Sequence, residues 1–201
     1  MLKVFLPTSF TLQITKKYVT VYIYAKQKRR DRTFTKEAGN TKNMKTYRAI
    51  VAPQPTALVI RCGDPRFRIA FLAFISDELG LKQGEFVPIT VAGGPAALAH
   101  AETRAIDHSF IMKQIGFFLT HFKSIREVII FGHQDCGYYR TIDFGPTVID
   151  REKNDLPKAG RAINEWADAF FRDKDIKILS YYASFDDESK TGIVFETVSY
   201  T

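Results

Sequence analysis

The chain is poor in cysteine: only two of its 201 residues, Cys62 and Cys136, carry a thiol. Two cysteines cannot form the multi-disulfide framework that stabilises small secreted domains, so we expect both thiols to stay free in a reducing compartment. No apolar run approaches the roughly 18 residues that a transmembrane helix needs, and the N-terminus lacks a signal-peptide pattern. These absences predict a cytoplasmic protein that does not span a membrane.

The surplus of positive charge is confined to the N-terminal segment. Residues 1–43 hold ten Lys or Arg against two Asp or Glu, whereas residues 44–201 hold 19 against 20. The densest basic stretch, KQKRRDR at 26–32, lacks the glycine and aromatic residues of an RNA-binding sheet. We therefore expect a solvated basic extension over 1–43 and no nucleic-acid partner. One domain is predicted over 44–201, and Met44 is a candidate for its true start.

From residue 57 onward, short apolar runs alternate with longer helical patterns. Such runs are typical of strands that are buried on both faces of a parallel sheet. The predicted strands lie at 57–62, 86–94, 127–133, 176–185 and 191–198, and the predicted helices at 67–80, 102–123 and 159–173. The alternation predicts an α/β fold: an open, mostly parallel β-sheet flanked by helices, with a closing C-terminal hairpin.

Chemically reactive side chains lie where the predicted strands end. Cys62 ends the first strand, His133 ends the third, and Cys136 lies three residues further on. Open α/β sheets bind ligands beyond the carboxyl ends of their strands, where the strand order reverses. Two thiolates and an imidazole suit a zinc ion with one coordination position left open. Taken singly, each cysteine could instead be a small buried apolar residue, and the histidine a hydrogen-bonded core residue.

A carboxylate and a guanidinium follow the first cysteine closely. The stretch CGDPRF places Asp64 and Arg66 two and four residues after Cys62, on the loop that leaves the same strand. By themselves they could form an exposed ion pair worth about 0–1 kcal/mol. Beside a metal, a carboxylate held by an arginine can orient a bound water or take its place. Asp135, between the other two candidate ligands, is expected to be a solvent-facing turn residue.

The two motifs CGDPR at 62–66 and GHQDCG at 132–137 resemble the zinc motifs of β-class carbonic anhydrases, and the similarity extends over roughly residues 50–198. This resemblance implies a β-carbonic-anhydrase-like fold that binds Zn²⁺ through Cys62, His133 and Cys136. It implies water as the fourth ligand and a dyad of Asp64 and Arg66. In a closed state of some members, the aspartate itself is the fourth ligand. The resemblance also implies a homodimer or a higher homo-oligomer.

The activity that the resemblance implies is the reversible hydration of CO₂ to bicarbonate. Zinc would lower the pKa of its bound water toward about 7. Asp64 would accept the hydrogen bond of the hydroxide, and Arg66 would keep Asp64 ionised and off the metal. Gln54 lies near the position of the family's bicarbonate-contacting glutamine, and backbone N–H groups of Gly93 and Gly94 could face an anion.

Three alternatives stay open at this point. The same chemistry could hydrolyse COS or CS₂ on this fold. A permanent bond from Asp64 to zinc would instead make the site a structural or bicarbonate-sensing module without activity. The two thiols could also form a redox pair.

Overall fold

The candidate site lies on the apolar strands at the centre of one β-sheet. The computed structural model describes residues 49–50, 53–141, 151–186 and 189–200. Within these residues one five-stranded sheet has the spatial order β2-β1-β3-β4-β5. The strands are β1 (Ala57–Cys62), β2 (Phe86–Val91), β3 (Glu127–His133), β4 (Lys177–Phe185) and β5 (Ile193–Thr197). Strands β1 to β4 are parallel and β5 is antiparallel to β4, which confirms the predicted fold class.

Helices cover the sheet and form the connections between its strands. In the described part of the chain they are α1 (Arg68–Asp77), α2 (Ala96–Ala99), α3 (Ala105–His121), α4 (Gly137–Thr141) and α5 (Arg151–Phe170). A 3₁₀ turn at Arg172–Lys174 follows α5. The predicted helices at 67–80 and 102–123 are confirmed as α1 and α3 to within three residues at each end. Helices α2 and α4 were not predicted, because four or five residues are too few to show a helical period.

Two predicted boundaries are wrong. The predicted strand at 86–94 ends at Val91, because Gly93 and Gly94 have φ angles of 73° and 51° and cannot continue an extended strand. The predicted helix at 159–173 begins at Arg151 and includes Pro157 in its interior. Proline is unusual in a helix interior because it lacks an N–H donor, so this stretch does not show a plain helical signal before residue 159.

The sheet is buried on both faces. Along β1, Leu58 and Ile60 pack into one core with residues of α3 and α5, whereas Ala57 and Val59 pack into a second core with α1. The second core is rich in aromatic rings; its fully buried members include Phe67, Phe71 and Phe131. Burial on both faces accounts for the continuous apolar runs in the sequence.

A buried lysine closes the C-terminal end of α3. Lys174 is only 6 % exposed. Its Nζ donates to the carbonyl oxygen of Leu119 and, at 3.3 Å, to that of Phe122. These carbonyls have no partner within the helix, and a cation there also interacts favourably with the helix dipole. Burial lowers the pKa of Lys174.

The predicted basic extension at 1–43 lies outside the described residues. Its stretch at 10–24, where β-branched and aromatic residues alternate with polar ones, predicts a strand that lies outside them too. Among the helices of the described residues, none combines the length and the apolar character that crossing a membrane requires.

Candidate metal centre

The topology of the sheet brings the two motifs to one edge. From β1 the chain moves to one side to form β2 and then returns to the other side of β1 to form β3. The strand order therefore reverses between β1 and β3, which is where open α/β sheets bind ligands. Because β1 and β3 are adjacent and parallel, their last residues, Cys62 and His133, end at the same edge.

The three predicted ligands lie together. One donor atom from each of Cys62, His133 and Cys136 lies within 4.8 Å of the others. All three side chains are buried, with exposed fractions of 6, 1 and 3 %. Asp135, with φ of 60°, takes the left-handed conformation in the turn between the second and third ligands. Aspartate tolerates this conformation better than most residues, and the turn directs Cys136 back toward β1.

The spacing of the two sulfur atoms fits a zinc ion. Sulfurs that each lie about 2.3 Å from a tetrahedral zinc are about 3.8 Å apart. The Sγ atoms of Cys62 and Cys136 are 3.8 Å apart. Both cysteines are free rather than joined in a disulfide, whose S–S distance is about 2.05 Å. Sulfur and imidazole are also the donor types that zinc prefers.

The histidine keeps one ring nitrogen free for a ligand. His133 Nδ1 lies 2.9 Å from the carbonyl oxygen of Gln134. A carbonyl only accepts, so Nδ1 carries the proton and Nε2 has a free lone pair. The ring is held against Phe67, with 4.4 Å between ring centroids. Nε2 is buried and has no hydrogen-bond partner. A buried acceptor without a partner is costly, and a metal ion would satisfy it.

The two thiols are close enough to share a proton. The hydrogen bond from Cys136 lowers the pKa of Cys62 to about 4, with further help from His133 and from the backbone N–H of Asp64. The same contact, together with burial, raises the pKa of Cys136, while the backbone N–H groups of Tyr138 and Tyr139 oppose that rise. One thiolate is therefore present at neutral pH before a metal binds, and thiolate is the form that ligates.

Asp64 and Arg66 form the predicted ion pair. Arg66 Nη2 donates to Asp64 Oδ2 at 2.8 Å, and Arg66 Nε donates to Asp64 Oδ1 at 3.1 Å. The backbone N–H of Arg66 also donates to Oδ1 at 2.9 Å. The hydrogen-bonded guanidinium holds the pKa of the Asp64 carboxyl below its usual range, so that the carboxylate is ionised.

A second carboxylate, which the sequence interpretation left as a solvent-facing turn residue, also binds this arginine. Arg66 Nη1 donates to Asp135 Oδ2 at 3.0 Å, and Nη2 donates to the Asp135 carbonyl oxygen at 2.8 Å. Asp135 forms further ion pairs with Arg140 and, at 3.8 Å, with Lys190. Because Asp135 and Arg66 are 69 residues apart, no local pattern in the sequence indicates the contact.

An open cleft of about 340 Å³ adjoins the two cysteines. Asp64 lines one side, while Val91, Ala92 and Tyr138 contribute an apolar wall. Arg104, which no motif indicated, holds this wall in place. Its Nη1 donates to Tyr138 Oη at 2.5 Å, and its guanidinium lies 5.1 Å from the centre of the Tyr138 ring.

Helix α5 packs closely on β3 at a glycine, next to the metal-binding turn. A Cβ at Gly132 would lie 3.2 Å from Leu156 Cδ1 and 3.3 Å from the Glu152 carbonyl oxygen, so a larger residue would require these neighbours to move by a few tenths of an ångström. At that distance Glu152 Oε1 accepts the backbone N–H of Cys136 at 3.2 Å. Sequence analysis missed Glu152, since its position depends on a helix whose start was predicted eight residues too late.

The three proposed substrate contacts have different surroundings. Gly94 lies in the turn after β2, where its N–H donates to the Val91 carbonyl oxygen at 3.2 Å. Gly93 lies against the ring of Tyr138. Gln54 is exposed and precedes β1, and thus lies beyond the opposite end of the strand from Cys62. Within the described chain Gln54 does not line the cleft, and the substrate-binding role of all three residues stays a prediction.

Two comparisons with known proteins find nothing: no family model matches the chain, and no curated protein matches it. Among solved structures, the chain is similar to a carbonic anhydrase from Streptococcus mutans, with 16 % identity, a TM-score of 0.41, and 90 % of this chain and 98 % of that chain covered. It is also similar to β-carbonic anhydrase isoform I from Trichomonas vaginalis, with 14 % identity, a TM-score of 0.43, and 94 and 97 % covered. At these identities and TM-scores the similarity supports no statement about chemistry. Any such statement has to come from the side chains of the metal centre.

Proposed function

We propose that the protein is a zinc enzyme that catalyses the reversible hydration of CO₂ to bicarbonate. The proposal depends on one observation: the buried Nε2 of His133 has no hydrogen-bond partner, and donor atoms of His133, Cys62 and Cys136 lie within 4.8 Å of one another. Cys62, His133 and Cys136 would hold the ion. Zinc bound there would supply the Lewis acidity that makes water a nucleophile near neutral pH.

The dyad supplies the acceptor that the reaction needs. Asp64 is ionised and lines the cleft beside Cys62, so it can only accept hydrogen bonds. An acceptor at this position would take the hydrogen bond of the attacking oxygen and turn a lone pair of that oxygen toward the substrate. Arg66 keeps the carboxylate charged and holds both of its oxygens. We assign Asp64 as the catalytic acceptor and Arg66 as the residue that holds it.

The walls of the cleft suit a small neutral substrate. Val91, Ala92 and the ring of Tyr138 offer apolar contacts, which favour CO₂ over a hydrated anion. The bicarbonate product is charged and gains little from the same wall. The cleft therefore supports entry of the neutral molecule and release of the anion.

We include self-association in the proposal. Helix α1 carries Ile69 and Leu72 with exposed fractions of 82 and 43 %. Exposed apolar side chains on one helix are a common feature of interaction surfaces. Light scattering on the full-length protein measures the mass directly, and a monomer at micromolar concentration would remove this part of the proposal.

One experiment tests the reaction and the metal together. The full-length protein is analysed for zinc by mass spectrometry and is then mixed with CO₂ in a stopped-flow instrument that follows proton release. We expect about one zinc per chain, loss of zinc in Cys136→Ser, and retention of zinc with loss of most activity in Asp64→Asn. Asp77→Asn, an exposed carboxylate at the end of α1, is the matched control.

The possible results separate the two parts of the proposal. Full zinc content in Cys136→Ser would exclude the metal centre. A protein that holds zinc but releases no protons would exclude CO₂ hydration and leave a zinc-binding module without activity. Full activity of Asp64→Asn would show that the aspartate is structural.

A further inference from the structure

We propose that Asp135 is a positioning residue, which holds the Arg66 guanidinium so that Asp64 stays beside the open metal position and does not occupy it. The inference rests on the proposed function, because it assigns a role within the dyad of that site. What carries it is the geometry of one guanidinium held between two carboxylates.

The Arg66 guanidinium is hydrogen-bonded on two sides. On one side, Nε and Nη2 donate to the Asp64 carboxylate at 3.1 and 2.8 Å. On the other side, Nη1 and Nη2 donate to Asp135, at 3.0 Å to Oδ2 and at 2.8 Å to the carbonyl oxygen. All three guanidinium nitrogens therefore have acceptors, and Asp135 supplies two of the bonds.

The hydrogen bonds to Asp135 matter because the Arg66 side chain is exposed. Its side chain is 42 % accessible, and a surface arginine with one carboxylate partner gains little from the pair, since water screens the charges and the long side chain loses entropy. Its guanidinium lies 5.8 and 5.9 Å from the ring centres of Phe67 and Phe185, which leaves one face against apolar surface. A second fixed acceptor restricts Arg66 to the rotamers that keep its guanidinium on Asp64.

Asp135 is itself anchored to the turn that carries the ligands. It lies between His133 and Cys136, and its side chain is 26 % exposed. Arg140 and Lys190 approach the same carboxylate from α4 and from the segment before β5. Asp135 thus connects the ligand turn to Arg66, and Arg66 connects to Asp64. Loss of this link would let Arg66 and Asp64 move as a pair and let Asp64 reach the metal.

Two substitutions separate this role from that of the turn. Asp135→Gly removes the carboxylate but keeps the left-handed φ of 60° accessible. Asp135→Asn keeps the φ preference and an oxygen acceptor but removes the charge. Asp175→Gly is the matched control, because Asp175 is an exposed aspartate with φ of 49° before β4, at the opposite end of the strands from the ligands.

The first measurement needs neither activity nor bound metal. In ¹⁵N-labelled full-length protein as purified, the Nε–H signal of Arg66 is identified by its absence in Arg66→Lys, and its exchange with water is measured. We expect exchange about threefold faster or more in Asp135→Gly, because a loosened guanidinium exposes its N–H groups. Asp135→Asn and the control variant should stay within about twofold of the wild type.

The second measurement titrates azide into the cobalt-substituted protein and follows the visible spectrum. If Asp64 occupies the open position part of the time, the apparent affinity for azide falls in proportion. We expect Asp135→Gly to bind azide about threefold more weakly or worse. Simple electrostatics predicts the opposite sign, because removal of a negative charge near the site should tighten the binding of an anion.

The outcomes distinguish a failure of the inference from a failure of the proposed function. Unchanged Nε–H exchange in Asp135→Gly, tighter azide binding, or an equal change in the Asp175 control would overturn the role of Asp135. A wild-type protein without bound zinc or without proton release would overturn the proposed function. In that case the exchange measurement still decides whether Asp135 holds Arg66.

Discussion

Replacing Gly94 by Ala should destabilise the fold and disturb the first metal ligand. Gly94 has φ of 51°, which costs an alanine about 1–2 kcal/mol. A Cβ there would also lie 2.9 Å from the Phe131 carbonyl oxygen and 3.3 Å from the backbone N of Cys62. Both atoms belong to the backbone, so the strands must shift, at a further cost of about 1–3 kcal/mol. The sum is about 2–5 kcal/mol.

Thermal unfolding measures this cost. For a chain of this size each kcal/mol lowers Tm by roughly 2–4 °C, so Gly94→Ala should lose roughly 4–20 °C. Gly80→Ala is the matched control: its φ is 67°, but an added Cβ meets nothing within 4 Å. It carries the conformational cost alone, and we expect a loss of roughly 2–8 °C. Zinc content should fall only in Gly94→Ala.

Equal losses of Tm in the two variants would refute the steric part of the reasoning. Full zinc content in a destabilised Gly94→Ala would show that the turn after β2 does not position Cys62. Gly94 would then act in overall packing alone.

The remaining predictions concern stability, protonation and domain limits. Lys174→Met should lower the unfolding free energy by about 1–3 kcal/mol in chemical denaturation, because the Leu119 carbonyl oxygen at the end of α3 loses its donor, whereas the exposed Lys177→Met should change it little. In metal-free protein, absorbance at 240 nm should report about one thiolate per chain at pH 7, since the pKa of Cys62 is lowered to about 4. A group whose pKa is lower in the folded state stabilises the fold at pH values above its unfolded-state pKa, and this stabilisation is lost as the pH falls through about 4. Cys136→Ala should remove the thiolate signal, and an unchanged signal would contradict the shared proton. A chain that starts at Met44 should keep its zinc and its Tm, because every proposed site residue lies beyond it; an insoluble or metal-free product would assign 1–43 to the fold.

The alternation of apolar runs and helical patterns was enough to predict the fold class and most elements. A strand buried on both faces has to be apolar along its whole length, and the sequences of β1 and β3 show such continuous apolar runs. Boundaries were predicted less well where a local signal competes with tertiary packing. Helix α5 continues through Pro157 because its apolar side packs on the sheet, and packing outweighs the missing N–H donor.

The identities of the candidate ligands were likewise visible in the sequence, because cysteine and histidine are scarce and lie at the ends of predicted strands. Their separation was not: the 3.8 Å between sulfurs depends on parallel pairing of β1 with β3 and on the left-handed turn at Asp135. The same holds for the contact of Asp135 with Arg66. A motif records which donor atoms a chain offers, whereas sheet order and turn geometry decide which of them meet, since residues 69 to 74 positions apart approach each other only through the fold.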